Sequence, residues 1–271
     1  MAEKIWFVTG ASKGFGRIWT EAALKRGDKV TATARKIGDL KALADTYGDQ
    51  LLPLALDVTD RAAVFAAMKQ AHEHFGRLDV VINNAGYGLF GTIEEVSEQE
   101  ARAQIETNLF GALWVLQAAL PIMREQKSGH LLSTSSIGGI SAFPTVGIYH
   151  ASKWGLEALN QSLAQEVADL GIKVTLIEPA GYTTDWSGPS AQRAKEIAAY
   201  DPIRKQRAET GKNRTKGNPE ATADAILQIV DAEDPPLRFL LGSDCLPIIK
   251  KDYAGRLAEW EKWDSVSSKA Q

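Results

Sequence analysis

Short apolar runs alternate with longer amphipathic stretches along most of the chain. Seven runs rich in β-branched and aliphatic residues predict buried strands at 4–9, 29–34, 51–56, 80–83, 130–135, 173–178 and 238–241. Between them, apolar residues at helical spacing predict a helix ending near residue 26. They predict further helices over 39–47, 61–75, 98–123 (one long helix or a bent pair), 148–168 and 220–231.

Continuous apolar strands separated by helices are typical of a parallel sheet that is covered on both faces. With right-handed crossovers, the alternation predicts an α/β fold with a doubly wound, Rossmann-type sheet and ligands at the carboxyl ends of its strands. The 271 residues fit one domain over 1–271 with an insertion.

The segment 183–218 interrupts the alternation, because it is polar, rich in Lys and Arg, and shows helical stretches but no strand pattern. Such an insertion is either a substrate-binding lid or a solvated surface excursion. The tail 252–271 alternates aromatic and charged residues, which is consistent with packing on the body or on a partner subunit.

Composition excludes several functional classes. The net charge of −3 gives no broad basic surface, so we predict no nucleic-acid partner. Cys245 is the only cysteine, which excludes an intrachain disulfide and a metal site built on two thiols, and we predict no metal. The first residues lack a secretory apolar segment, and no apolar run reaches the roughly 18 residues of a membrane span. We therefore expect a cytoplasmic protein without a membrane partner.

The segment 9–16 (TGASKGFG) joins the first strand to the first helix. Its glycines permit positive φ, allow the backbone to approach a pyrophosphate, and aim the helix N-terminus at that group. Its position between a strand and a helix favours a dinucleotide site over a plain tight turn. The expected contacts are Gly10, Ser12, Lys13, Gly14, Phe15 and Gly16.

The end of the second strand distinguishes NAD from NADP. An acidic residue there would bind the ribose 2′-hydroxyl and repel a 2′-phosphate. The chain instead has Ala34 followed by Arg35 and Lys36, and Lys13 adds a second positive charge nearby. Because Arg35 can bind a phosphate in a bidentate manner, we predict NADP(H) as the cofactor.

Two further strand ends carry candidate cofactor contacts. Asp57 and Val58 close the third strand, where Asp57 either accepts a hydrogen bond from an adenine amino group or caps the helix at 61. Asn84, Ala85 and Gly86 follow the fourth strand, and these small residues suit close approach to the cofactor ribose.

Three motifs occur in a defined order: TGASKGFG at 9–16, NNAG at 83–86 and YHASK at 149–153. Together they resemble the short-chain dehydrogenase/reductase family over roughly residues 3–186 and the sheet beyond. The glycine spacing is similar to that of carbonyl reductases, hydroxysteroid dehydrogenases and 3-oxoacyl reductases. A Y-x-x-x-K pair alone would be weak evidence for this family, but the three motifs in this order are specific for it.

Tyr149 and Lys153 lie four residues apart and therefore share one face of a helix. A phenol has a reference pKa of about 10, and we expect the lysine cation to lower the pKa of Tyr149. The resemblance implies that Tyr149 protonates a carbonyl oxygen while hydride leaves the nicotinamide. It also implies that Lys153 holds the nicotinamide ribose.

The resemblance adds two more catalytic residues. Ser136 lies 13 residues before Tyr149, at the interval of the serine that hydrogen-bonds the substrate oxygen, with Ser135 as the adjacent alternative. Asn108 matches the family's helix asparagine, which supports a water path to the lysine. Its alternative interpretation is an ordinary polar residue inside a helix.

The segment 179–184 (PAGYTT) resembles the family's P-G-x-x-x-T segment. Thr184 would contact the carboxamide or the phosphates, and the other expected cofactor contacts are Pro179, Gly181 and Tyr182. Ala180 replaces the usual glycine, which leaves the local backbone path open.

The resulting prediction is an NADP(H)-dependent oxidoreductase that interconverts a ketone or aldehyde and an alcohol. The alternative from another class is an NADP(H)-sensing regulator without turnover. An extended-branch epimerase is disfavoured, because its glycine spacing and its longer C-terminal domain are not found here.

The substrate is expected to be medium-sized and largely apolar. The candidate pocket residues, each of which has a core position as its alternative, are Tyr87, Ile137, Phe143, Val146, Tyr182 and Trp186. The helices near 101–119 and 148–168 resemble those that pair across a two-fold axis in the family, which implies a homodimer or homotetramer.

Overall fold

A seven-stranded parallel sheet lies at the centre of the protein. The computed structural model describes residues 3–184, 186, 188, 190–212 and 216–270. In chain order the strands are β1 (Ile5–Val8), β2 (Lys29–Ala34), β3 (Leu51–Ala55), β4 (Val80–Asn83), β5 (Leu89–Phe90), β6 (Gly129–Thr134), β7 (Ile172–Pro179), β8 (Gln192–Arg193) and β9 (Arg238–Leu241). The main sheet has the order β3-β2-β1-β4-β6-β7-β9, so the chain reverses direction across the sheet between β1 and β4. This is the Rossmann-type arrangement predicted from the sequence.

Helices cover both faces of the sheet. They are α1 (Gly14–Arg26), α2 (Lys41–Tyr47), α3 (Arg61–Phe75), α4 (Glu98–Ile105), α5 (Gly111–Gln126), α6 (Gly147–Glu166), α7 (Asp201–Lys212), α8 (Thr222–Asp231) and α9 (Cys245–Ser267). One core contains side chains of α1, α2 and α8, and the other contains side chains of α3, α5 and α6. Alternate residues of β1 enter the two cores, since Trp6 and Val8 lie in one and Phe7 in the other.

The long helical segment 98–126 is divided by a π-helical turn. Ser97 and Glu100 form a capping box at the start of α4, and a π-helical turn (Glu106–Phe110) separates α4 from α5. By length and composition this segment also passes as a membrane span, which the sequence prediction did not anticipate. In the fold it is a core element, because α5 packs on α3 and buries Val115 and Leu116.

The insertion contains a strand that the sequence pattern did not predict. Gln192–Arg193 (β8) pairs in parallel with Leu89–Phe90 (β5), and the prediction of no strand in 183–218 was therefore wrong. Two exposed polar residues carry no period-2 pattern, so this pairing is set by tertiary contacts. Residues 185, 187, 189 and 213–215 of the insertion lie outside the described residues.

The insertion is attached to the body by polar contacts around Glu95. This carboxylate accepts hydrogen bonds from the backbone N–H groups of Thr92 and Ile197, both at 2.8 Å, and pairs with Arg204 of α7. The backbone hydrogen bonds are the main cause that lowers the pKa of Glu95 to about 2. Arg207 of α7 donates to the carbonyl of Pro144 at 2.8 Å. Two arginines one turn apart therefore attach α7 to the body.

Candidate active site

The glycine turn takes the backbone conformation that its sequence requires. Gly10 and Gly14 have φ of +66° and +55°, in the left-handed region that glycine adopts readily. Helix α1 then begins at Gly14, and Lys13 precedes it without a side-chain cap. A Cβ on Gly16 would lie 2.4 Å from the carbonyl oxygen of Gly10, so only glycine fits where the turn folds back on itself.

The NNAG segment is bound to the glycine turn at the point where the strand order reverses. Asn84 Nδ2 donates to the carbonyls of Thr9 and Gly10, both at 3.1 Å. The Thr9 hydroxyl accepts from the backbone N–H groups of Asn84 and Ala85 at 2.9 and 3.0 Å. The ends of β1 and β4 therefore form one rigid unit at the crevice where open α/β sheets bind ligands.

A cationic edge borders this unit. Ala11 donates to the carbonyl of Thr33, which ties the glycine turn to β2. Lys13, Arg35 and Lys36 are exposed on the same edge of the sheet, and none of the three forms an ion pair within the described part of the chain.

The hydrogen bonds after β3 distinguish the two interpretations of Asp57. Helix α3 is capped by Asp60, whose side chain accepts from the N–H of Ala63 at 3.0 Å, so the capping role considered for Asp57 was wrong. The Oδ1 of Asp57 instead accepts from the backbone and hydroxyl of Thr59, and the carboxylate stays exposed at the strand end. Val58 is buried and packs against Gly111.

The segment after β7 is joined to the glycine turn through aromatic rings. Phe15 stacks on Trp19 at 5.1 Å between ring centroids and meets the edge of Tyr182 at 5.2 Å. The backbone path at Ala180 is also defined, because its N–H donates to Leu241 and its methyl group faces Gly242. Pro179 is buried, whereas Gly181 and Thr184 lie at the surface of the crevice.

The open space between these segments fits a dinucleotide. A Cβ placed on Gly14 or Gly181 would meet no atom within 4 Å, so the crevice is clear above the turn and beside β7. A helix N-terminus directed at this crevice and exposed cations at its edge match the charge of a phosphorylated nucleotide. The residues present therefore fit a nicotinamide dinucleotide.

Asn108 is directed inward by the π-helical turn. Its Oδ1 accepts from the N–H of Tyr87 at 3.1 Å, and its Nδ2 donates to the carbonyl of Tyr87 at 3.0 Å and to Ser152 Oγ at 3.2 Å. Gly86 allows this approach, since a Cβ there would lie 3.0 Å from Asn108 Oδ1 and 3.8 Å from Lys153 Nζ. Single π-turns within helices often occur at functional sites, and this one places an amide beside Lys153.

Tyr149 and Lys153 lie on the buried face of α6, as their spacing predicts. Lys153 Nζ is 5.9 Å from the centroid of the Tyr149 ring and donates to the carbonyl of Thr134 at 2.7 Å. Ser136 hydrogen-bonds Tyr149, and its Oγ also accepts from the N–H of Gly138 at 3.0 Å. The structure thus brings Asn108, Ser136, Tyr149 and Lys153 together. Ser135 faces Glu157 instead, away from the tyrosine.

Burial controls the ionisation of the pair. Burial raises the pKa of Tyr149 to about 12, against a smaller lowering by the hydrogen bond with Ser136. Burial also lowers the pKa of Lys153 to about 8, while the charge of Glu157 acts in the opposite direction. The expectation that Lys153 lowers the pKa of Tyr149 was therefore wrong for this structure. The ammonium is oriented toward Thr134, and desolvation of the phenolate is the larger effect.

Two buried glutamates next to this pair were missed by sequence reasoning. Glu157 lies one turn after Lys153 on α6, and Glu178 lies opposite it on β7. Arg238 Nε is 3.1 Å from Glu157 and 3.5 Å from Glu178. Burial and the charge of Glu157 raise the pKa of Glu178 to about 9, so one proton stays on the pair at neutral pH. The only sequence signal was the i,i+4 spacing from Lys153.

His150 is a third residue that sequence reasoning missed. Its Nδ1 lies 2.7 Å from the carbonyl of Gly138, and its Nε2 accepts from the N–H of Phe143 at 2.9 Å. These two contacts require a neutral ring with the proton on Nδ1, and burial lowers its pKa accordingly. The imidazole thereby fixes the loop after Ser136 to the start of α6. The motif YHASK gave no signal for this role.

A cavity of about 440 Å³ is lined by Ile137, the residue that follows Ser136 in the chain. Ile137 and Phe143 form part of its wall together with Ile203 and Arg207 of α7 and Ile248 of α9. Trp186 covers the tyrosine, with 5.0 Å between ring centroids. Of the other predicted pocket residues, Val146 is a core residue, which is 2% exposed.

Comparison with known proteins identifies the family. The short chain dehydrogenase family model matches residues 4–195. Oxidoreductase BOA17 of Botryotinia fuckeliana is 42% identical, with 97% of this chain and 98% of that protein covered. A short-chain dehydrogenase structure from Streptomyces avermitilis is 37% identical, with a TM-score of 0.93 over 100% of this chain and 99% of that one.

A more distant structure is informative about ligands. The alcohol dehydrogenase of Thermococcus sibiricus, complexed with 5-hydroxy-NADP, is 27% identical with a TM-score of 0.74, over 90% of this chain and 98% of that one. Structural neighbours hold NADP in some cases and NAD in others. The chain belongs to the short-chain dehydrogenase family and is an oxidoreductase of that family.

Proposed function

We propose that this protein interconverts a ketone or aldehyde and the corresponding alcohol with NADP(H) as its cofactor. The observation that carries the proposal is the convergence of Asn108, Ser136, Tyr149 and Lys153. A partly open cavity lined by Ile137, next to Ser136, and a crevice that fits a dinucleotide support it. A bound nicotinamide cofactor would supply or accept the hydride.

Tyr149 is the proton donor in the reduction direction. Its hydroxyl is hydrogen-bonded by Ser136, and we assign both hydroxyls to contacts with the oxygen of the substrate carbonyl group. A phenol with a raised pKa stays protonated at neutral pH, which is the state needed to donate. Charge developing on the substrate oxygen is stabilised by the two hydrogen-bond donors.

Lys153 supplies positive charge behind the tyrosine. With a pKa of about 8, the ammonium is mainly cationic at neutral pH, and the charge of Glu157 helps to keep it so. Once Tyr149 has given up its proton, this cation stabilises the phenolate. Asn108 is bound to the Tyr87 backbone, and a Cβ on Gly86 would lie 3.0 Å from its Oδ1 and 3.8 Å from Lys153 Nζ. We assign to Asn108 a water near the lysine that returns the proton from solvent.

The preference for NADP(H) rests on Lys13 and Arg35. Both are exposed at the edge where the adenosine ribose of a bound dinucleotide would lie, and the residues directly after β2 are basic, namely Arg35 and Lys36. Arg35 can bind a 2′-phosphate through two N–H groups, whereas the hydroxyl of NAD would leave both cations without a partner anion.

The cavity favours a substrate with a largely apolar body. Ile137, Phe143, Ile203 and Ile248 form apolar walls, while Gln206 and Lys216 lie among the polar residues of the lining. Burial of apolar substrate surface would contribute about 25 cal/mol per Å². A medium-sized ketone or secondary alcohol suits this space.

The test follows NADPH absorbance with a panel of aliphatic, aryl and acyl-chain ketones and aldehydes, repeated with NADH. We expect oxidation of NADPH by at least one apolar carbonyl compound and slower reaction with NADH. Tight NADPH binding without turnover on any member of the panel would favour the alternative of a cofactor-sensing regulator. Equal rates with both cofactors would refute the assignment of Lys13 and Arg35.

A further inference from the structure

The C-terminal helix α9 extends beyond the body of the protein. Its first turns are anchored, because Cys245 is buried and Arg256 donates to the carbonyl of Ile140 and lies over the ring of Trp154 at 4.8 Å. From Leu257 to Ala270 every residue is exposed. A helical segment of this length has little stability in water without tertiary contacts. Its second half therefore lacks the support that the rest of the fold provides.

One face of α9 carries an apolar stripe. Leu246, Tyr253, Leu257 and Trp260 recur at intervals of seven, four and three residues, which places them on one side of the helix. They are 50%, 46%, 50% and 61% exposed. Large exposed apolar side chains that share one side of a projecting helix indicate an interaction surface.

The charges of α9 are divided between its two halves. The half before Leu257 carries three basic residues and one acidic residue (Lys250, Lys251, Arg256 and Asp252). The half after Leu257 carries three acidic residues and one basic residue (Glu259, Glu261, Asp264 and Lys262). The two halves therefore have net charges of +2 and −2, and this helix is complementary to a reversed copy of itself.

The charges on the stripe itself repeat this symmetry. Lys250, Leu257 and Asp264 are spaced seven residues apart, so they lie on the same side of the helix as the apolar row. Neither Lys250 nor Asp264 forms an ion pair with another described residue. A two-fold axis at Leu257 would place Lys250 of one copy opposite Asp264 of the other.

We propose that two copies of this chain associate through α9, antiparallel, with Leu257 at the two-fold axis. Such a contact is isologous, since both copies contribute the same residues to it. Leu257 meets its counterpart, Tyr253 lies near Trp260 of the second copy, and the two Lys250–Asp264 pairs close the ends. The proposed contact uses α9, whereas the family resemblance implies pairing through the helices near 101–119 and 148–168.

The proposed interface also borders the candidate active site. Ile248 and Asp244, at the start of α9, lie in the wall of the substrate cavity, and Asp252 accepts from Ser141 Oγ at 3.0 Å. Pairing of α9 would therefore fix one wall of the cavity. The association itself does not depend on which reaction the site performs.

The first test replaces Leu257 with aspartate in the full-length protein and measures mass by sedimentation velocity between about 0.1 and 100 μM. Leu257→Asp places two carboxylates at the axis and is expected to raise the dissociation constant of this contact by about 100-fold or more. The matched control is Ala258→Asp, which introduces an aspartate at the next position, on a different side of the helix. It should change the dissociation constant by less than about threefold.

The second test exchanges the charges at the ends of the stripe. Lys250→Asp and Asp264→Lys should each weaken association, and the double variant should restore it, because the pair is rebuilt in reverse. Helicity by circular dichroism checks that each variant is folded. Rescue by the double variant distinguishes a second copy of this helix from any other partner.

Several results would overturn the proposal. Wild-type protein that stays monomeric at 100 μM would do so, as would an assembly that Leu257→Asp leaves unchanged. The wild-type protein could instead be a monomer that cosediments with phosphatidylcholine/phosphatidylglycerol vesicles. If Leu257→Asp abolished this vesicle binding, the stripe would be assigned to a lipid surface. A tetramer that becomes a dimer on Leu257→Asp would support the proposal, with α9 as one of two interfaces.

Discussion

A methyl group at position 16 would have no space in the folded protein. The Cβ of alanine there would lie 2.4 Å from the carbonyl oxygen of Gly10 and 2.4 Å from Nδ2 of Asn84, whereas Cβ contacts under 3.0 Å essentially do not occur. Gly16→Ala must therefore displace the glycine turn, the Asn84 side chain, or both by at least 0.6 Å, the difference between 3.0 and 2.4 Å.

The size of the effect follows from what is displaced. Overpacking costs about 1–3 kcal/mol, and weakening the two hydrogen bonds from Asn84 costs about 0.5–1.5 kcal/mol each. The total of about 2–6 kcal/mol corresponds to a fall in melting temperature of roughly 4–11 °C for a chain of this size. The same displacement disturbs the phosphate-binding turn, so NADPH affinity should fall at least about tenfold.

Gly14→Ala is the matched control for stability. A Cβ on Gly14 meets no atom within 4 Å, but φ of +55° is unfavourable for alanine and costs about 1–2 kcal/mol. Differential scanning fluorimetry and NADPH titration by tryptophan fluorescence measure both quantities. The reasoning would be refuted if Gly16→Ala melted within about 2 °C of wild type and bound NADPH normally.

Three further predictions concern charge. Arg35→Asp should shift the ratio of kcat/KM for NADPH and NADH toward NADH, because it replaces a phosphate-binding cation by an acid that repels the 2′-phosphate; an unchanged ratio would remove Arg35 from the cofactor site. Burial lowers the pKa of His130 to about 3, so its neutral form stabilises the fold above pH 6.5, and this contribution should be lost as pH falls from 6.5 toward 3, by about 1.4 kcal/mol per pH unit. Urea unfolding of wild type and of His130→Gln at pH 7.5 and 5.5 measures how far the free energy of unfolding falls between the two pH values. An equal fall in both proteins would contradict this prediction. The pKa of Glu178 is raised to about 9, so its protonated form stabilises the fold at low pH, and this contribution should be lost as pH rises from about 4.5 to 9. In urea unfolding, Glu178→Gln should reduce the decline in the free energy of unfolding over this pH range. The same decline in the variant as in wild type would be inconsistent with a protonated Glu178.

Local patterns predicted most of the fold. The bounds of β2, β4, β9 and α3 agree with the sequence interpretation, because each element is defined by its own apolar period and by residues that end it. The glycine turn was also readable, since positive φ and close backbone approach require glycine whatever surrounds it.

Features that depend on distant residues were not predictable. The π-helical turn at Asn108 follows no local signal, because the residues of α4 and α5 on either side of it continue ordinary helical patterns. The pairing of β8 with β5 and the proximity of Glu157 to Glu178 arise only when segments far apart in sequence meet. The pKa of Tyr149 was misjudged for the same reason, since burial outweighed a neighbouring charge that the sequence did show.

The central claim is that Tyr149 transfers a proton to the substrate oxygen, and Tyr149→Phe tests it most directly. The substitution removes one hydroxyl and keeps the ring that packs against Trp186 at 5.0 Å. With NADPH and the best carbonyl substrate, kcat should fall by about 10²–10⁴-fold, the contribution expected of a general acid. NADPH affinity should stay within a few-fold of wild type. Turnover at the wild-type rate in Tyr149→Phe would contradict the mechanism.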